Sequence, residues 1–222
     1  MNIDLSALWL TLKVATWATF VAGVLGVACG FALARGRWPG KRLLEALLTL
    51  PLVLPPTVLG YYLIVLLGRN GPVGRWLAEH FGIQLIFTWQ GAVIAAALVA
   101  FPLVFSSARA AFQNVDGQLE KAARVLGSSE LKVFWHVSLP LASRGIVAGA
   151  MLAFARAMGE FGATLMIAGN IPGKTQTLSM AIYDAVQSGN DALANTLVTL
   201  ISVLCVVILV AASHLLNRGP AR

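Results

Sequence analysis

Charged residues are so sparse along the chain that long apolar runs separate them. No charge falls between Val14 and Ala34, and a second apolar run extends from Ala46 to Gly68. A third lies within the uncharged stretch from Phe81 to Ala108. The fourth covers Arg144 to Ala168, interrupted by Arg156 and Glu160, and the fifth reaches from Ala192 to Leu216. A helix of about 20 mostly apolar residues crosses the roughly 30 Å of bilayer hydrocarbon, so each run is long enough to span. The short alternating segments of a membrane barrel do not occur. The pattern predicts an all-α membrane protein with five spans, the first beginning near Trp9.

Composition agrees with that pattern. Of 222 residues, 58% are hydrophobic and 11% charged, and the mean hydropathy is +0.80. A soluble domain carries roughly a quarter charged residues, so lipid must replace water over most of this surface. A soluble enzyme, a disordered tail and a nucleic-acid-binding domain are excluded. The opening Met1-Asn-Ile-Asp-Leu-Ser lacks the basic start of a cleavable leader, and the first run is too long for one; it reads as structure. Cys29 and Cys205 sit inside apolar runs without metal-ligand spacing and read as packing residues. No metal site and no cofactor is expected.

The net charge of +7 is informative through its distribution. One set of alternating loops holds Arg35, Arg37, Lys41, Arg42, Arg109, Lys121, Arg124, Lys132, Arg144, Arg218 and Arg222. The opposite set holds Arg69, Arg75 and Lys174, with Lys13 near the start of the first span. Because basic loops stay in the cytoplasm, the N-terminus is expected outside and the C-terminus inside.

Within the spans, Pro51, Pro55 and Pro56 cannot all occupy a regular helix. The second span either begins after them or breaks near its cytoplasmic end. Gly26 and Gly30, and again Gly145 and Gly149, have the four-residue spacing that lets helix backbones approach closely.

The longest cytoplasmic connection carries the most specific pattern. Gln118 to Leu126 are helix formers stopped by Gly127, with Leu119, Ala122, Ala123 and Leu126 forming one apolar stripe. A second short helix is expected from Ser129 to Val137, capped by Ser128 or Ser129 and ending before Pro140. Two uses fit such a knob: insertion into another protein's groove, or lying against the bilayer. The segment resembles the Glu-Ala-Ala loop of bacterial ABC importer permeases. Ala122, Ala123, Gly127, Val137, Leu139 and Pro140 fall in its register, with Lys121 at the glutamate position and Glu120 just before it.

The resemblance implies the type I importer permease fold, with five or six transmembrane helices in one domain over residues 1–222 and a coupling loop at 116–140. It implies that Glu120, Lys121, Ala122, Ala123, Gly127, Leu139 and Pro140 couple the chain to an ATP-hydrolysing partner. The chain has no Gly-x-x-x-x-Gly-Lys-Ser/Thr phosphate loop, so it is not expected to be an enzyme. The implied partners are a second copy of the chain, two ABC ATPase subunits, an external oxyanion-binding protein and membrane lipid, without nucleic acid. The implied location is the bacterial cytoplasmic membrane.

The stretch from Phe154 to Leu178, followed by Ala181-Ile-Tyr183, is similar to the oxyanion branch of these permeases, and most to the molybdate/tungstate subunit. A sulfate or thiosulfate permease is the alternative, because it shares the Ala-Arg-x-x-Gly-Glu core. Arg156 and Glu160, four apart on one expected helix face with Leu152, Gly159 and Ala163, fit either an anion pathway or a structural ion pair. An unpaired arginine at the bilayer centre costs about 3 kcal/mol, so they must face protein or water. On the outer side, Lys174, Thr175, Gln176 and Thr177 could receive an oxyanion at an outer gate, or instead form a turn and cap introducing an amphipathic stretch from Leu178 to Val186.

Other classes fit less well. Paired haem-ligating histidines are missing from the spans, as is a paired-aspartate or Ser/His protease arrangement. An ATP-independent secondary transporter would show repeats of several helices, and none is visible.

Overall fold

The computed structural model describes residues 6–36 and 39–217, and within them each apolar run is mostly helical and no strand occurs. Segment 1–5 and Arg37, Arg218 and Arg222, which entered the charge distribution, lie outside the described residues. The elements in chain order are α1 (Ser6–Arg35), α2 (Lys41–Val53), α3 (Pro56–Leu67), α4 (Pro72–Phe81) and α5 (Trp89–Gln113). There follow α6 (Gly117–Val125), α7 (Glu130–Val133), a π-helical turn (Phe134–Ser138), α8 (Leu139–Met158), α9 (Gly162–Ala168), α10 (Leu178–Gln187) and α11 (Asp191–Asn217). Among the described residues, four helical stretches are long and apolar enough to cross a membrane unbroken: α1, α5, the continuous Glu130–Met158 and Asp191–His214. The second expected span is a pair, α2 and α3, bent by 110°.

The prolines place that bend. A residue before proline is pushed out of helical geometry toward extended backbone. Leu54 precedes Pro55 with ψ 141°, and Pro55 precedes Pro56 with ψ 136°. Two extended residues in succession end α2, and Pro56 then opens α3 at the first helical position, where its missing N–H has no role. Pro51 stays inside α2.

The core is built around α5, whose buried alanines 92, 95, 96, 97, 100 and 108 keep its surface narrow. Both glycine pairs use that narrowness. A Cβ on Gly26 would lie 3.0 Å from the Phe105 nitrogen, and one on Gly30 2.9 Å from the Arg109 nitrogen. On a neighbouring face of α5, Cβ atoms on Gly145 and Gly149 would lie 2.8 Å from the Ala111 Cβ and 2.4 Å from the Ser107 Cβ. Small residues permit these approaches where lipid provides no hydrophobic drive between helices. The registers show that α1 runs parallel to α5 and α8 antiparallel. Near the shared start of α1 and α5, the Lys13 ammonium sits 3.6 Å from the Trp89 ring centre. Cys29 and Cys205 are both unpaired and half-buried.

The fourth run departs from the expectation of one helix to Ala168. Helix α8 ends at Met158, residues 159–161 are non-helical, and α9 is a separate short helix. Helix α9 packs parallel to α3: a Cβ on Gly162 would lie 3.0 Å from the Pro56 Cβ, and one on Gly60 2.6 Å from the Met166 Cβ. The two interrupted spans therefore meet at their breaks. Backbone of this kind is tolerated at membrane depth only inside protein or along a watery cavity.

Candidate functional site

The residues singled out by the sequence fall into three places: the loop at one end of the bundle, the break after α8, and the segment before α10. In the loop, Asp116 caps α6 by accepting the Gln118 N–H at 2.9 Å. Gly127, at φ 82°, terminates the helix with two bonds: its own N–H to the Arg124 carbonyl at 2.9 Å and that of Ser128 to the Ala123 carbonyl at 3.0 Å. A Cβ on Gly127 would meet nothing within 4 Å, so the backbone angle alone requires glycine. Ser129 caps the next helix. Across the turn, Arg124 grips the Glu130 carboxylate with Nε at 2.6 Å and Nη2 at 3.1 Å. This hydrogen-bonded carboxylate raises the Arg124 pKa.

The second loop helix does not stop before Pro140. It continues through the π turn into α8, and Pro140 sits in the first turn of α8. The Leu139 N–H bonds the Phe134 carbonyl five residues back. This wider turn accommodates a proline that lacks an N–H and would crowd the carbonyl four residues earlier. The loop is thus one free-standing helix, α6, beside the extended foot of α8.

Its exposed and buried residues divide clearly. Lys121, Ala122, Val125 and Leu126 are exposed, and Leu119 is half-exposed, so most of the apolar stripe is uncovered by the chain. Glu120 is the opposite, at 4% exposure. It pairs with Arg35 at the end of α1, accepts the Ser138 hydroxyl at 2.7 Å and lies 3.8 Å from Arg124. Sequence reasoning missed Arg35 and Ser138; only the recurrence of basic residues in that loop hinted at the former. It also missed the 3.0 Å pair between Arg109 of α5 and Glu45, which fastens α2.

Arg156 and Glu160 do pair, at 2.9 Å, but not as two positions of one helix. Arg156 is in the last turn of α8, whereas Glu160 lies in the break and Ala163 in α9. Glu160 is 2% exposed and also accepts the Ala163 N–H at 2.9 Å, which secures the start of α9. The Arg156 side chain is 34% exposed. Gly145 faces Ala111 and Gly149 faces Ser107; the same antiparallel register puts Arg156 level with Ala100, at the middle of α5. A groove of about 830 Å³ between α1 and α11 is apolar and includes neither residue.

Before α10, two of the expected outer-gate residues, Thr175 and Gln176, already have partners. The buried Thr175 hydroxyl donates to the Gly169 carbonyl at 3.2 Å and accepts the Ile171 N–H at 3.1 Å. The Gln176 amide donates to Asp184 at 2.7 Å, and the Asn170 amide donates to the other Asp184 oxygen at 2.7 Å. Thr177 is buried and precedes α10 without capping it through its side chain. Lys174 is exposed. Helix α10 packs on α1, with the Leu178 N–H donating to the Thr11 hydroxyl at 2.8 Å. The turn of the structural alternative is present here, without a side-chain cap from Thr177.

With several helices long and apolar enough to cross a membrane, broken spans and an exposed loop helix, the bundle has the build of a multi-pass membrane protein. The chain belongs to the family described as binding-protein-dependent transport system inner membrane component, which matches residues 22–219. It is 50% identical over 185 residues to the putative molybdenum transport system permease protein YvgM of Bacillus subtilis, covering 83% of this chain and 82% of that one. It is 43% identical over 212 residues to the molybdenum transport system permease protein ModB of Escherichia coli K12, covering 96% and 93%. The sulfate transport system permease protein CysT of E. coli K12 is 36% identical over 214 residues, covering 95% of this chain and 77% of CysT. The fold matches a chain of the MetNI methionine ABC transporter (TM-score 0.71, 21% identity, 96% and 97% covered). It also matches one of a bacterial alginate ABC transporter (TM-score 0.74, 16% identity, 98% and 80% covered). The chain is a multi-pass membrane permease rather than an enzyme, with the fold of the ABC importer permeases.

Proposed function

We propose that the chain is the permease subunit of an ATP-driven importer that moves molybdate or tungstate into the cell. The observation that carries the substrate class is the graded similarity, higher toward molybdenum permeases than toward the sulfate permease. Two copies related by a two-fold axis enclose the pathway, because one bundle of this size is centred on a packed α5. Two separate ATPase subunits dock at the 116–140 loop, and an external binding protein delivers the oxyanion.

Sidedness follows from the charge distribution. The loop lies at the same end as Arg35, and the basic residues collected there mark the cytoplasmic face. The N-terminus is then outside and the C-terminus inside. The uncovered residues of α6 (Lys121, Ala122, Val125 and Leu126) form the surface offered to the ATPase, with Gly127 setting the turn behind it. Leu139 and Pro140 lie past the π turn and act by stiffening the foot of α8.

Arg156 serves the pathway. One nitrogen is committed to Glu160, but a guanidinium has five N–H donors and a third of this side chain is exposed. It offers a divalent oxyanion a partly neutralised positive site at mid-membrane, favourable enough to enter and weak enough to leave. Lys174 supplies positive charge on the outer side, while Thr175 and Gln176 hold the backbone around it.

The test is uptake into vesicles containing the permease with its ATPase and binding protein. ATP-dependent accumulation of molybdate in preference to sulfate is expected. Accumulation that persists without nucleotide would overturn the mechanism, and sulfate preference would favour the alternative substrate.

A further inference from the structure

Glu120 is the one acidic residue of α6, yet it points into its own chain. Its carboxylate joins three elements: Arg35 closes α1, Arg124 stands one turn along α6, and the fully buried Ser138 closes the π turn beneath α8. The π turn contributes directly, because it carries the Ser138 hydroxyl that reaches the carboxylate. Widened turns of this kind often occur at functional sites. Beside this junction, Phe31 of α1 packs edge-on to Phe112 of α5 and Phe134 of the π turn, with ring centres 5.1 and 4.8 Å away. Val115, Ala108 and Ala142 complete the buried cluster.

We infer that Glu120 is a positioning residue that latches the docking helix to the feet of α1 and α8, so that a displacement of α6 by the ATPase moves these two spans as one body. The inference rests on the coupling role proposed above and assigns the force path within the permease. Hydrogen bonds to an ionised group are the stronger ones and are directional, so this junction transmits a displacement that apolar contacts would let slip. Helix α2, bent away at Leu54 and tied by Glu45 to Arg109 of α5, is outside the latch.

The complex of permease, ATPase and binding protein tests this. In Glu120→Ala, molybdate taken up per ATP hydrolysed should fall by about tenfold, the factor expected for one lost hydrogen bond to a charged group, a larger loss than that of assembly or of hydrolysis. Glu120→Gln, which keeps shape, should fall less, and exchanging the pair as Arg35→Glu with Glu120→Arg should recover part of the loss. Unchanged uptake per ATP, or equal losses of assembly, hydrolysis and uptake, would overturn the latch. A second readout does not require transport: the distance between spin labels at Ala32→Cys and Gly117→Cys, where a Cβ meets nothing within 4 Å, in a Cys29→Ser, Cys205→Ser background. It should stay constant between nucleotide-free and ATP-bound complexes and broaden in Glu120→Ala. A nucleotide-dependent distance in the otherwise unaltered chain overturns the latch even where uptake is normal. A wild-type complex without ATP-driven uptake overturns the transport function and leaves the distance to decide the latch.

Discussion

Arg156→Ala removes the 2.9 Å partner of a carboxylate that is 2% exposed. Breaking a buried ion pair from one side costs about 3–5 kcal/mol, because the remaining charge is left uncompensated. Two features reduce that figure here. Glu160 keeps the Ala163 N–H as a donor, and the arginine end of the pair is 34% exposed and therefore screened. A loss of about 2 kcal/mol remains after that discount. Removing both side chains leaves no buried charge and loses mainly the bond that starts α9, about 1 kcal/mol. Each kcal/mol corresponds to about 2–4 °C in a protein of this size, so the single variant should melt about 2–4 °C below Arg156→Ala with Glu160→Ala. Thermal unfolding of the detergent-solubilised protein, followed by retention of the monodisperse peak, measures the difference. Equal melting temperatures, or a double variant less stable than the single, would refute the reasoning.

Other outcomes follow from the same geometry. Gly127→Val forces a β-branched residue to φ 82°, at a cost of about 1–2 kcal/mol, and should lower ATP-driven uptake while leaving basal ATP hydrolysis in place; Gly127→Asn should be milder. Gly149→Ala brings a methyl to 2.4 Å from the Ser107 Cβ and should destabilise by about 1–3 kcal/mol, with Ser107→Gly restoring stability in the pair, as thermal melts would show. Gln176→Ala and Asp184→Ala act on one hydrogen bond, so their combined effect on melting should be less than additive, whereas Lys174→Ala should leave melting unchanged and raise the KM for uptake. Cysteines placed singly at Asn190 and at Asn114, in a Cys29→Ser, Cys205→Ser background, should react with an impermeant reagent from opposite sides of the membrane, the former from outside.

Much of the architecture was legible because a bilayer makes a simple demand. Hydrophobic runs of sufficient length form helices, and the runs read from the chain do so, two of them with a break. The stops were legible where a residue type carries its own backbone restriction: Gly127 ends α6, and Pro55 and Pro56 end the second run's first half. The fourth run misled because Gly159, Glu160 and Phe161 contain no proline, and Glu160 keeps the four-residue spacing from Arg156 that one helix face would have. Only the packing of α9 on α3, with the Glu160 carboxylate holding the Ala163 N–H, makes a break there stable. Pro140 misled in the other direction, since a π turn absorbs it.

Sequence alone therefore determined a membrane-spanning helical chain, the basic side of it, and a loop built to protrude. Tertiary structure decided what each polar side chain faces. Glu120 lies beside Lys121 in the chain, yet one is buried and the other exposed. Gln176 looks like a free donor until Asp184, from the following helix, occupies it. Hydrophobicity is a sum over local residues and can be read along a chain. The environment of a charge depends on partners tens of residues away, such as Arg35 for Glu120, and exists only once the helices have packed.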